Sequence, residues 1–254
     1  MIEIELSSVD STNSYARRWM SEHDVGEELV VVSTREQTHG RGQKGNSWES
    51  EYGKNLTFSL LFHPQGILAS GQFVLSQAMA LSILDMLEWV GKSVVGDDRI
   101  PADSFSVKWP NDIYYLDKKI SGTLIECDLE GKALSSCIIG SGINVNQREF
   151  RSDAPNPVSL WQIYHEEFPL HPLLMKVSER FEYYLQQIYA GDSEIVRKRY
   201  MEHLYRRTGY HRYKDRHSMF LAKITGIEAS GHLILESSDG EERRYEFKEV
   251  AFLH

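Results

Sequence analysis

The stretch from Thr38 to Ser50 reads THGRGQKGNSWES, with Gly40, Gly42 and Gly45, the cations Arg41 and Lys44, and Trp48. Such a loop can lay bare backbone N–H groups against a phosphate while its cations neutralise charge. Three known phosphate motifs fail here. The glycines match G-x-G-x-x-G, but a dinucleotide fingerprint needs a helix at the third glycine, and this chain runs into a second strand, NLTFSLLF (55–62). The Walker pattern breaks at Asn46, where lysine is required, and lacks the same helix. A kinase glycine loop does sit between strands, yet no HRD or DFG follows. Taken alone, the loop reads equally well as a flexible surface hairpin.

Three other polar segments stand out. KWPNDIYYLDKKISG (108–122) carries Trp-Pro-Asn-Asp and a lysine, Lys119, three residues before Gly122. GSGINVN (140–146) ends a strand with two glycines and two asparagines, and DSTN (10–13) precedes a helical pattern. Four loop-like polar elements at strand ends predict one site assembled from many connections.

The elements that must position them follow from periodicity and caps. MIEIELSSV and ELVVVST (28–34) read as strands, and TNSYARRWMSEH as a helix capped by Asp10 or Ser11. Residues 71–90 are apolar around most of a helix, with Gln77, Asp85 and Glu88 on a narrow polar side, so this helix should pack across a sheet. Three β-like segments come next: SFSVKWPNDIYYL, KISGTLIECDLE and ALSSCIIGSGINVN, joined by turns at Asp117-Lys118 and Glu130-Gly131. Residues 159–166 and 170–207 read as helical. From Thr208 onward short strands with Gly, Ser and Asp turns predict a separate small β-barrel. The fold class is α+β, a mixed sheet with helices on one side plus a small all-β domain, divided as 1–207 and 208–254.

At 254 residues the chain suffices for one large domain, or a medium one plus a small one. Its 41% hydrophobic and 26% charged residues are ordinary globular material. The net charge of −9 argues against wrapping nucleic acid, which calls for a clustered basic face. With a turn at Glu130-Gly131, Cys127 lies opposite Leu134 and Cys137 faces away, so no disulfide and a reducing, cytoplasmic setting are expected. No zinc-ligand spacing occurs, and the protein alone is expected to hold no metal. No secretion leader and no apolar run of membrane-spanning length are read.

Together these segments resemble the biotin protein ligases, which attach biotin to a lysine of carboxylase carrier domains. The resemblance rests on Q-T-x-G-x-G near a tryptophan, K-W-P-N-D, K-[LI]-x-G and G-x-G-I-N in that order, and it runs from DSTN to the C-terminal strands. It implies a class II synthetase-like catalytic sheet followed by an SH3-like barrel. It also implies a reaction in which biotin's carboxylate joins the α-phosphate of ATP, giving biotinyl-adenylate, before transfer to the carrier lysine. Two anions must then meet, so cations and N–H groups have to neutralise both, with Mg2+ arriving on the nucleotide.

By the same resemblance Lys119, on its own a solvated turn lysine, touches both biotin's carboxylate and the α-phosphate, and Arg41 assists. Ser11, Thr12, Asn13 and Gln37 lie at the biotin pocket, and Gly40, Arg41, Gly42 and Gln43 close over it. Gly122 and Gly140 belong to the same pocket, and Gly140 and Gly142 allow close backbone approach. Trp48 offers a face to adenine, Asn144 bonds the nucleotide, and Lys44 adds charge there. Asp112 orients the carrier's ammonium or accepts its proton. One departure is Gln43, where the family commonly has arginine, and Lys44 is expected to substitute. The expected partner is a biotin carboxyl carrier protein or domain, with no DNA and no membrane, the protein being a monomer or homodimer. An N-terminal DNA-binding domain is not expected ahead of a first strand placed so close to DSTN. A lipoate or octanoate ligase or transferase on the same fold, or a non-catalytic biotin or nucleotide sensor, are the alternatives.

Overall fold

The structure is a computed structural model, and it describes residues 1–40, 42, 48–95, 100–151 and 156–253. Arg41, Gln43, Lys44 and Gly45 therefore lie outside the described residues, as does any ordering of their loop on ligand binding. β-Branched and aromatic runs make strands β1 (Ile2–Leu6), β2 (Val30–Thr34) and β3 (Leu56–Phe62). With β4 (Phe105–Lys108), β5 (Asp112–Tyr115), β6 (Lys118–Glu130) and β7 (Ala133–Ile143) they form one sheet, in the order β1-β2-β3-β7-β6-β5-β4. Only β1–β2 is parallel; the chain returns between them through α1 (Thr12–Glu22). All other neighbours are antiparallel. The expected segment SFSVKWPNDIYYL is thus two strands, β4 and β5, folded back at Trp109–Asn111 with a cis Trp109–Pro110 bond.

Helices cover both faces of this sheet, not one. β3 shows why: Leu56, Phe58, Leu60 and Phe62 join the main core, while Leu61 points the other way, to a second cluster with Ala16, Val30, Val32 and Ile138 under α1. The main core is built on α2 (Phe73–Trp89), α4 (Leu170–Tyr189) and α5 (Ser193–Glu202), with the short α3 (Leu160–Tyr164) beside them. The predicted helix 170–207 breaks at Gly191, whose φ of +89° glycine adopts readily. The helix 71–90 has no solvated stripe at Gln77 and Asp85. Gln77 is buried, and Asp85 accepts hydrogen bonds from Arg180 (2.7 Å), Tyr184 (2.9 Å) and Arg199 (2.5 Å), which tie α2 to α4 and α5. The helical stretch Ala69–Lys92 does reach membrane-spanning length and apolarity, contrary to expectation, but 78% of its most apolar window is buried inside this fold.

The cysteine expectation is also overturned. Glu130 pairs with Ala133, so the turn is Gly131-Lys132, with Gly131 at φ +63°. A bulge at Asp128/Leu129 then leaves Ser135 unpaired. Turn and bulge together bring Cys137 opposite Cys127, Cα–Cα 4.2 Å, and the two form a disulfide. The cysteines therefore give no ground for a reducing compartment.

Five C-terminal strands make a second antiparallel sheet: β8 (His211–Lys214), β9 (Met219–Ile227), β10 (Leu233–Ser237), β11 (Glu242–Tyr245) and β12 (Ala251–Phe252), ordered β11-β10-β9-β8-β12. Its buried Tyr213, Leu233 and Leu235 continue the main core. Trp109, in the β4–β5 turn, donates its indole N–H to Gly231 O at 2.9 Å and packs edge-on against Phe247.

Candidate active site

Strand register builds the floor of the site. Lys108, Asp112, Gly122, Gly142, Thr57 and Thr34 form one row of paired residues across β4, β5, β6, β7, β3 and β2. Two positions along, Leu124, Gly140 and Ser59 form the next row, and beyond it Glu126, Ile138 and Leu61 form a third. Directly paired residues share a face, and so do residues two apart on a strand, so all three rows face α1.

The glycines leave room that neighbouring side chains occupy. A Cβ on Gly140 would lie 2.1 Å from Asn13 Oδ1, and one on Gly142 would lie 2.2 Å from the Trp48 ring. On Gly122 it would press on Lys119 Nζ (3.0 Å) and Asp112 Oδ1 (3.3 Å). Asn13, Trp48 and Lys119 therefore lie over a bare backbone floor, and that is the arrangement that needs glycine.

Lys119 reaches this face through an irregularity. It stands three residues from Gly122, an odd spacing that would point the two to opposite faces of a regular strand. The register shift between Ile113 and Tyr114 leaves Ile120 unpaired, so Lys119 pairs with Tyr114 and returns to the face of Asp112 and Gly122. The irregular backbone is pinned from below: Asn144 N donates to Ile120 O (2.9 Å), Lys119 N to Asn156 O (2.8 Å) and Val158 N to Lys119 O (2.9 Å). Lys119 Nζ then meets Asp112 Oδ1 at 2.8 Å, each side chain 28% exposed. Lys108, paired with Asp112, is a second cation on this row, and its Nζ donates to Tyr114 OH at 2.8 Å. Burial lowers the Lys108 pKa from its ordinary value, and burial raises that of Tyr114.

The DSTN turn caps the other side. Ser11 is the N-cap of α1 by position, and its buried side chain makes no capping bond. Gln37 Oε1 accepts from the N–H and the hydroxyl of Thr12, at 2.8 and 3.1 Å. Ser59 Oγ donates to Asn13 Oδ1 (2.6 Å) and lies 2.8 Å from Thr12 Oγ1, and Asn13 Nδ2 donates to Glu126 Oε2 (2.9 Å). Asp10 is held by two hydrogen bonds from Arg18, both 2.9 Å, which lower its carboxyl pKa to about 2. At the ends of the glycine loop Trp48 N donates to Gly40 O (3.2 Å); the Trp48 indole N–H is buried with no acceptor among the described residues.

Most predicted site residues thus converge: Thr12, Asn13 and Gln37 in one hydrogen-bonded group, Lys119, Asp112 and Gly122 in another, with Gly40, Trp48, Gly140 and Gly142 between. Half-buried Gly42 lies in the same loop. Asn144 is committed differently, its Nδ2 bonding Val158 O at 3.0 Å. Ser59 and Glu126 were not foreseen. Their signals are a serine in the apolar run NLTFSLLF and a carboxylate inside the β-like TLIEC. Among the described residues no group of three or more His, Cys, Asp or Glu could hold a metal.

Known proteins resemble this chain in sequence and in fold. Residues 6–144 match the model of the biotin/lipoate A/B protein ligase family. The chain is 33% identical over 152 residues to the bifunctional ligase/repressor BirA of Salmonella typhimurium, covering 59% of this chain and 43% of that protein. It is 33% identical over 141 residues to a biotin–[acetyl-CoA-carboxylase] ligase of Paracoccus denitrificans, covering 55% of this chain and 53% of that one. It thus spans about half the length of these relatives. The solved biotin protein ligase of Aquifex aeolicus in complex with biotin and ATP superposes with a TM-score of 0.76 at 26% identity, over 98% of this chain and 97% of that one. Since the family model matches more than half of its residues, the chain belongs to the biotin/lipoate A/B protein ligase family.

Proposed function

We propose that this protein activates biotin with ATP, forming biotinyl-adenylate and pyrophosphate, and transfers the biotinyl group to a lysine of a carboxylase carrier domain. The observation that carries this reading is the placement of Lys119 Nζ over Gly122, on the face that also holds Asn13 and Trp48. From there one ammonium can face a carboxylate arriving along α1 and a phosphate arriving under Trp48. Opposed anions at contact distance repel strongly in a partly dry site, and a fixed cation between them offsets that repulsion as the new bond forms. Lys119 must share or leave Asp112 to do so. Asp112 is then the carboxylate available to the carrier's ammonium, which is almost wholly protonated near neutral pH before it attacks.

The remaining assignments belong to the same reading. Ser11, Thr12, Asn13, Gln37, Gly40, Gly42, Gly122 and Gly140 bind biotin, together with Arg41 and Gln43. Trp48 and Asn144 bind the nucleotide with Arg41 and Lys44, and Mg2+ comes with the triphosphate rather than in a protein cage. Residues 1–207 form the catalytic domain and 208–254 a small SH3-like barrel, a division supported by the separate strand order of the C-terminal sheet. The test is a mixture of protein, ATP-Mg, carrier fragment and either biotin or lipoate, read by mass shift on the carrier. Biotin should add one biotinyl group per carrier lysine. A shift with lipoate alone assigns the lipoyl branch of the family, and no shift with either overturns catalysis.

A further inference from the structure

Glu126 lies outside the ion pair and the glycine loop, yet its carboxylate is the far anchor of the DSTN turn. It occupies the row next to Gly140 on the α1 face, and Asn13 bridges the two positions. A carboxylate only accepts, so it takes the amide end of Asn13, Nδ2, at 2.9 Å. The carboxamide is planar, so its oxygen is then turned toward Ser59 Oγ at 2.6 Å and into the space over Gly140. Asn13 is 3% exposed and Ser59 fully buried, so water cannot replace a lost partner at little cost. Asn13 is the second residue of α1, next to Thr12, whose N–H and hydroxyl both end on Gln37.

We propose that Glu126 is a positioning residue for biotin binding: acting through Asn13, its carboxylate seats the first turn of α1, with Ser11 and Thr12, on the sheet and against Gln37. This rests on the reading that biotin occupies the pocket under that turn. The requirement is for an acceptor at this point rather than for a charge. Asp128 makes the contrast. It also ties β6 to α1, through Arg17 at 3.1 Å, but at the exposed rim and with no bond into the Asn13 chain.

Biotin and ATP affinities of the full chain are measured by titration calorimetry for wild type, Glu126→Leu, Glu126→Gln and Asp128→Asn, with thermal melts alongside. Glu126→Leu keeps the side chain's bulk and removes the acceptor; biotin should bind at least about tenfold more weakly, the size set by a buried donor left unpaired. ATP affinity should stay within about twofold, because Trp48 and Gly142 are untouched, and Asp128→Asn should match wild type for both ligands. Glu126→Gln still offers an oxygen to Asn13 Nδ2 and should return to within about threefold of wild type. If Glu126→Leu does not fold, Glu126→Ala, which cannot overfill the site, is measured in its place. Equal biotin affinity in wild type and Glu126→Leu overturns the proposal, as does a Gln variant as weak as the Leu variant. A wild-type protein with no affinity for biotin overturns the functional reading itself, and this inference with it.

Discussion

Adding one methyl group at Gly140 separates the site described here from a merely plausible fold. In Gly140→Ala the new Cβ would lie 2.1 Å from Asn13 Oδ1 and 2.9 Å from its Cγ, against the 3.4 Å or more of ordinary contact. The carboxamide must therefore retreat by more than 1 Å, and it is held from two sides, by Ser59 at 2.6 Å and Glu126 at 2.9 Å. Retreat breaks at least one of these bonds in a buried setting. Overpacking of a dense site costs about 1–3 kcal/mol and an unpaired buried polar group about 1–3 kcal/mol. A total of about 3–4 kcal/mol follows, since part of each is relieved when the first turn of α1 lifts. The assay is urea denaturation together with biotin-dependent exchange of labelled pyrophosphate into ATP. The substitution should lower stability by about that amount and raise the biotin KM at least tenfold, with ATP KM little changed. Gly71→Ala is the control, because a Cβ there meets nothing within 4 Å and φ is not positive. A Gly140→Ala protein within twofold of wild type in biotin KM, and no less stable, would show that Asn13 is not fixed over this floor.

The ion pair gives a second expectation. Lys119→Gln should reduce pyrophosphate exchange by at least about a hundredfold, the scale of losing one fixed charge-stabilising donor, whereas Asp112→Asn should slow transfer to the carrier lysine more than it slows exchange. Equal losses in both steps for both variants would refute the division of roles. At the back of the sheet, Asp85→Asn leaves Arg180 and Arg199 without their shared carboxylate and should cost about 2–3 kcal/mol in urea denaturation, below the full buried-pair value because both guanidinium groups reach solvent. The pH dependence of stability carries a fourth. Asp10 has a folded pKa of about 2 against about 3.9 when unfolded, so its bond to Arg18 stabilises above pH 4 and the contribution fades as pH falls toward 2. The pair is exposed, so the effect is at most about 1 kcal/mol. Wild type and Asp10→Asn should differ in melting temperature at pH 6 and converge near pH 2; a constant difference would refute the linkage.

How much of this was legible in the sequence depended on parity. Strands β1, β2, β3 and β7, helices α1 and α2, and the convergence of Thr12, Asn13 and Gln37 with Gly40, Trp48, Asp112, Lys119, Gly140 and Gly142 followed from periodicity and resemblance. The helices on both faces were not legible in NLTFSLLF: Thr57 and Ser59 alternate with Leu56, Phe58 and Leu60, a pattern that reads as one solvated face, yet every residue of the strand is buried. Asp85 reads as solvated in the helical pattern because its two arginines arrive from helices about a hundred residues later.

What sequence spacing could not supply were the bulges, and they decide the chemistry. A strand has period two, so K-x-x-G places its lysine and glycine on opposite faces, and C-x9-C places its cysteines in a register that depends on where the turn closes. One unpaired residue, Ile120, reverses the first result and brings Lys119 back over Gly122 and beside Asp112. Another, Ser135, together with a turn one residue later than expected, reverses the second and brings Cys127 opposite Cys137. Neither bulge has a glycine or proline to mark it. The first is held by backbone groups distant in sequence: Asn144 N donates to Ile120 O, Val158 N donates to Lys119 O, and Asn156 O accepts from Lys119 N. That gives the last asparagine motif a structural role: through its backbone N–H, the strand end carrying Asn144 holds the irregularity that brings Lys119 over Gly122, so the G-x-G-I-N and K-x-x-G segments work as one unit.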